Sequence, residues 1–291
     1  MKYLKMLLLI AIVVVPVSVY AGAKSIDELA KMYDSSDCKG CHAEIYAQWE
    51  KSHHARPLMG VKGGLMLVPV VKESAFSPKD KDGKVDPKVA TAKNFPCFKC
   101  HLPNALDAEN SFFAEVAQAL LDGNKEKISK LQITCTVCHN TKAILHKREL
   151  GEPEKGVIYS SKDNDAHPGG KIKKSAIFTN SLFCGQCHGL GPNLEFDQPF
   201  QCANLYGSYL HNYISSGGTK TCQNCHMQKG DHLIAPDWND EKATVELLGK
   251  AISLDVQTVG YDWLRKAGTY VSKVVVSTTI TTTAGHRTPD G

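Results

Sequence analysis

The chain has 291 residues, of which 42% are hydrophobic and 22% charged, with 34 Lys and Arg against 30 Asp and Glu for a formal charge of +4. So even a balance makes no case for a nucleic-acid partner. Its 11 cysteines are too many to pass over in a chain too long for a small disulfide-stapled domain.

Taken in chain order, Lys2 and Lys5 precede an apolar run over 6–19, and small residues follow at Ala21, Gly22 and Ala23. This is the layout of a signal peptide over 1–21, cleaved after Ala21 or Ala23. The run is short for a transmembrane helix and no stop-transfer pattern follows it, so no membrane span is expected once it is removed. Residues 25–33 read as a helix, with Ser25 and Glu28 spaced as a capping box. CKGCH stands at 38–42, and the following helix, 43–50, carries Trp49. A stretch over 60–94, rich in Gly, Pro, Lys and Asp, reads as a long exposed excursion. CFKCH at 97–101 precedes an amphipathic helix over 112–121, ended by Asp122 and Gly123. CTVCH at 135–139 precedes a polar, glycine-rich loop over 151–174. CGQCH at 184–188 and CQNCH at 222–226 follow, then a helix over 240–251 and a Val-, Ile- and Thr-rich strand over 270–283.

Five Cys-x-x-Cys-His motifs account for ten of the 11 cysteines, and the remaining Cys202 reads as a small buried hydrophobe. In this motif two thiols add to the vinyl groups of a haem and the adjacent imidazole binds its iron. The covalent haem residues are therefore Cys38 and Cys41, Cys97 and Cys100, Cys135 and Cys138, Cys184 and Cys187, and Cys222 and Cys225. The proximal iron ligands are His42, His101, His139, His188 and His226. Zinc requires four converging ligands from paired motifs, which is not this grammar, and disulfides would leave each adjoining histidine unexplained. The motifs recur at 59, 38, 49 and 38 residues, so no repeat of fixed length underlies them.

Five c-type haems in a mature chain leave about 54 residues for each. The expected fold is mainly α, with much irregular chain wrapped around a covalent haem array and a small β element at the C-terminus. The haems are expected to supply much of the apolar core, so that the apo-chain does not fold. Three segments follow: a signal peptide over 1–21, a pentahaem domain over 22–240, and a C-terminal helix and β segment over 241–291. Ionised propionates would bring the holoprotein to roughly −3 to −8.

Seven histidines lie outside the motifs: His53, His54, His146, His167, His211, His232 and His286. Five of them would give every iron a second imidazole, which lowers potentials below those of Met/His cytochromes and closes the iron to substrate.

The run CKGCHAEIYAQWEKSHHA over 38–55 resembles the multihaem cytochromes grouped with the tetrahaem electron acceptor of hydroxylamine oxidoreductase. In that superfamily a Trp and then a His-Ala pair follow a haem motif, and that histidine ligates another haem. The resemblance nominates His54 as a distal ligand, with His53 as its alternate. CTVCHNTKAILH similarly points to His146, although Asn140 begins a stretch without the relatives' glycine-proline pattern. CQNCHMQKGDH points to His232, with Gln228 where relatives have proline, and AGHRTPDG points to His286. His167 is the fifth choice, ahead of His211. In relatives the last segment leads into further strands, so a short form and a stop decoded as selenocysteine are both open.

Two functions follow from the resemblance. One is an electron carrier in the periplasm or outside the cell, serving anaerobic respiration of metals or oxyanions. Its redox partners would be a quinol-linked or periplasmic donor and a downstream cytochrome or terminal acceptor. The other is a reductase of a small nitrogen or sulfur/selenium oxyanion at one five-coordinate haem. Abundant spare histidines, and the absence of Lys for the proximal His in any motif, favour the carrier. Tyr206, Tyr209 and Tyr213 read as core aromatics. A homo-oligomer, complex or stacked filament is compatible with the chain.

Overall fold

The computed structural model describes residues 22–60, 63–105, 108–140, 153–189, 204–235 and 240–288. His146 and Cys202 lie outside the described residues, as does the proposed signal peptide.

The first helix, α1 (Ile26–Met32), starts where expected, with the Ser25 hydroxyl accepting from Glu28 N–H at 3.1 Å. The Glu28 carboxylate reaches back to Lys24 N–H at 2.7 Å, one residue before the cap. Short helices α2 (Ser36–Lys39), α3 (Ala43–Lys51), α4 (Val68–Glu73) and α5 (Phe98–His101) lead to the longest, α6 (Asn110–Leu121). Phe112, Phe113, Val116, Ala117 and Leu120 recur every three or four residues along α6 and are all buried. Gly123, at φ +67°, ends it. After α7 (Lys125–Ser129), the core closes with Ile26, Leu29, Leu58, Val71, Phe95, Phe98, Leu102, Ile128 and Leu131. Phe95 stacks on Phe98 at 4.8 Å between ring centroids, and Phe113 meets Phe112 edge-on at 5.2 Å.

Three expectations need correction here. Residues 60–94 are not an exposed excursion throughout: Leu67, Val71 and Ala90 pack into the core, and the longest exposed run among the described residues is 81–85, around Gly83. The segment 22–131 has an apolar core of its own, contributed by side chains. The tyrosines at 206, 209 and 213 form a half-buried stack, with centroids 6.0 and 5.7 Å apart, outside that core.

Beyond α8 (Cys135–His139) the chain changes character. Among the described residues after 140, Tyr159 is the one buried apolar side chain. The glycine-rich stretch is more than a loop, because β1 (Val157–Ser160) and β2 (Lys171–Lys174) pair in parallel within it. A side chain at Gly170 (φ +129°) would put its Cβ 2.8 Å from the Gly156 carbonyl oxygen, so this crossing requires glycine. Helices α9 (Leu182–Gly185), α10 (Leu205–Tyr209) and α11 (Cys222–His226) follow.

The chain then forms α12 (Glu241–Ala251), N-capped by Asp240, whose carboxylate accepts from Ala243 N–H at 3.0 Å. Two long antiparallel strands follow, β3 (Ile252–Lys266) and β4 (Thr269–Thr282). The expected strand corresponds to β4; β3 is an addition to that reading. Mainly helical architecture with irregular chain and a C-terminal β hairpin agrees with the expected fold class. No helix among the described residues is long and apolar enough to cross a membrane.

Candidate functional site

Each motif lies on a single helical turn. His42, His101 and His188 donate their backbone N–H to the carbonyl of the first cysteine of their own motif, at 2.8, 2.9 and 2.9 Å. The third and fifth motifs constitute α8 and α11. A three-residue offset on a turn puts both thiols on one face. Thr221 and Asn224 box the start of α11: Thr221 N–H donates to Asn224 Oδ1 at 2.9 Å, and Asn224 N–H to Thr221 Oγ1 at 3.3 Å. All ten motif cysteines are unbridged. Among the described residues no three His, Cys, Asp or Glu side chains converge as a zinc centre would need.

Four motif histidines face a second imidazole. His42 lies opposite His167 with ring centroids 6.0 Å apart, His188 opposite His54 at 6.2 Å, His139 opposite His232 at 6.3 Å, and His226 opposite His286 at 6.1 Å. Direct imidazole stacking is closer than this. Two imidazoles on opposite sides of one metal, each nitrogen about 2 Å from it, have centroids about 6 Å apart. Three pairs are nearly coplanar, at 13°, 22° and 24°, while His54 and His188 are inclined at 78°. No second imidazole stacks on His101 among the described residues. His211 is exposed and faces no motif histidine there.

Ring orientation is fixed from behind by backbone carbonyls. Nδ1 of His101 donates to Pro57 O at 3.0 Å, His139 to Tyr159 O at 2.9 Å, and His226 to Ile234 O at 3.1 Å. Nδ1 of His232 donates to Gly230 O at 2.7 Å and that of His286 to Arg287 O at 2.8 Å. A proton held on Nδ1 leaves the Nε2 lone pair for a metal, the usual support of a ligating histidine. Ile234 has φ +68°, a conformation a β-branched residue rarely adopts, and its carbonyl is the one His226 uses. His167 differs, since its Nδ1 faces Gly169 N–H at 3.1 Å and no backbone carbonyl.

Burial sets the electrostatics. Desolvation, with smaller contributions from His188 and His53, pulls His54 down to about 4. Burial likewise lowers His188 and His139. All three imidazoles are thereby kept neutral, the form that binds a metal.

The structure also shows which motifs are neighbours. Cys38 of the first lies beside Cys135 of the third, Cys184 of the fourth beside Cys222 of the fifth, and Cys187 of the fourth beside Cys100 of the second. Phe178 stacks on His139 at 5.3 Å and on Phe183, the residue before Cys184, at 4.9 Å, joining the third motif to the fourth.

Of three supporting groups, the sequence singled out Trp49 but neither Ser181 nor Gln48. Buried Ser181 accepts from Cys222 N–H at 3.1 Å and donates to Tyr209 Oη at 3.1 Å, and Tyr209 in turn donates to Lys220 O at 3.0 Å. Trp49 Nε1 donates to Ile133 O at 2.9 Å, while Ile133 N–H donates to His54 O at 2.9 Å. Gln48 accepts from His232 N–H at 3.0 Å, so α3 positions both His54 and His232.

Thiol pairs for thioether bonds, imidazoles adjoining them and imidazoles opposite form the donor set of c-type haem, and these residues fit it. This is the donor arrangement that defines a c-type cytochrome. Residues 37–140, about a third of the chain, match the family model of cytochrome c554 and c-prime, which supports a multihaem c-type cytochrome that carries electrons. Comparison with curated proteins and with solved structures returns no match.

Proposed function

We propose that the chain is a pentahaem electron carrier, exported to the periplasm or beyond, in which most irons are held between two histidines. The four facing imidazole pairs carry this reading, because a shared metal explains their common separation of 6.0–6.3 Å, with Nδ1 of both rings turned away to backbone carbonyls in two of them. When bound, c-type haem supplies reversible one-electron exchange at its iron.

Cys38, Cys41 and His42 would hold the first haem with His167 opposite; Cys135, Cys138 and His139 the third with His232; Cys184, Cys187 and His188 the fourth with His54; and Cys222, Cys225 and His226 the fifth with His286. Cys97, Cys100 and His101 would hold the second, for which His146 is the proposed partner. Paired imidazoles leave small oxyanions no position on iron, which suits relay rather than reduction. Adjoining cysteines link the first site to the third and the fourth to the second and fifth, and the Phe178–Phe183 stack links the third to the fourth. Electrons would come from a quinol-linked or periplasmic donor and leave to a cytochrome or terminal acceptor in anaerobic respiration.

Intact mass spectrometry of protein from cells with haem-attachment machinery tests the count. The expected mass is that of the chain without residues 1–21 or 1–23 plus five covalent haems. A mass with no added porphyrin, or a colourless preparation, overturns the proposal.

A further inference from the structure

We infer that the C-terminal ribbon is a self-association surface, whose apolar face packs against the same face of a second copy of this chain. The register sorts its side chains. Ile252 opposes Thr282, Leu254 Ile280, Val256 Thr278, Thr258 Val276, Gly260 Val274 and Leu264 Tyr270, and directly opposed residues share a face. That face carries apolar side chains from base to tip, interrupted by threonines and by the Asp262–Ser272 pair. The other face pairs Ser253 with Thr281, Asp255 with Thr279 and Gln257 with Ser277, so it is polar along its basal half, and turns apolar toward the tip with Val259 against Val275 and Trp263 against Val271. Over the basal half, this two-faced patterning is what a sheet has when one face is covered.

Nothing in the described chain covers it. No residue of β3, β4 or α12 is buried, and Leu254, Tyr270, Val274 and Ile280 are 63–70% exposed. A two-stranded ribbon without a covered face is marginal in water. Val245 and Leu248 of α12 extend the exposed apolar surface past the base.

Three observations select a second copy as the occupant. Asp262 is the one charge on this face between Ile252 and Leu264, and its carboxylate accepts from Ser272 Oγ at 2.6 Å, so the face does not ask for an oppositely charged partner. A bilayer would leave the outer N–H and C=O groups of both strands unpaired, and the face offers no Lys or Arg to anionic lipid. The ribbon is about 46 Å long and about 10 Å wide, so two copies bury about 1,000 Å² even without side-chain relief, the threshold of a specific interface. Packed tip to base about a twofold axis, the two Asp262 side chains lie about 20 Å apart and do not repel.

Sedimentation of the haem-loaded full chain tests this. At tens of micromolar it should run at twice the chain mass. V274K with I280K on the apolar face should return it to single-chain mass with unchanged haem absorbance. Q257K with S277K on the polar face should leave it doubled. Hydrogen exchange on the unaltered protein gives a second readout that needs no variant: protection of β3 and β4 should rise with protein concentration. Single-chain mass at every concentration, an apolar-face variant that stays doubled, exchange independent of concentration, or capture by phosphatidylcholine vesicles without self-association would each overturn the inference.

Discussion

The orientation of His54 against His188 sets one site apart. Their planes cross at 78°, whereas the other three pairs lie within 24° of parallel. Perpendicular imidazoles bring two iron d-orbitals close in energy and broaden the spread of ferric g-values. One low-spin centre should therefore show a g-maximum well above the rest, and H54A should abolish that signal alone. Loss of a different signal in H54A contradicts the assignment. Ser181 offers a second residue test. Removing its hydroxyl in S181A leaves Cys222 N–H without its acceptor, at a cost of about 1–3 kcal/mol. Guanidinium unfolding of the haem-loaded protein should shift by that amount, and an unchanged midpoint would show that the bond carries no weight. At this scale the sequence declared the ten cysteines and five motif histidines, because their spacing is itself the chemistry. Resemblance nominated His54, His232 and His286, a place in the loop before the fourth motif added His167, and all four face motif histidines. The carbonyls of Pro57, Tyr159 and Ile234 left no trace, since any residue supplies a carbonyl.

The two halves of the chain have different sources of cohesion. Residues 22–131 hold a side-chain core around α6, while the described residues past 140 bury Tyr159 and little else that is apolar. The expectation of an apo-chain wholly unable to fold is accordingly narrowed. Without haem attachment, limited proteolysis should leave a resistant fragment covering about 22–131, and the remainder should be cut first. Uniform digestion of the whole chain would contradict this. Within the resistant part, F112A should cost about 3–5 kcal/mol, read from its thermal unfolding. The helices α1, α3, α6 and α12 were legible because caps and apolar periodicity are local signals. β3 was missed because Asp255, Gln257 and Asp262 interrupt its apolar run, and its pattern emerges only against β4. β1 and β2 were hidden for a like reason: Lys171–Lys174 is a strand by virtue of pairing with Val157–Ser160, not by composition.

For the molecule as a whole, the central claim is that paired histidines hold iron at the covalent attachment sites. Resemblance named the class, and the match over 37–140 supports it, but the assignment of partners depends on contacts among residues as far apart as His42 and His167. Contacts at that separation follow from how the chain packs, which no local motif encodes. Electron paramagnetic resonance of the oxidised, haem-loaded protein tests the claim most directly. The account predicts at least four low-spin ferric centres per chain, one with the enlarged g-maximum of crossed imidazoles. A spectrum dominated by high-spin iron would contradict it.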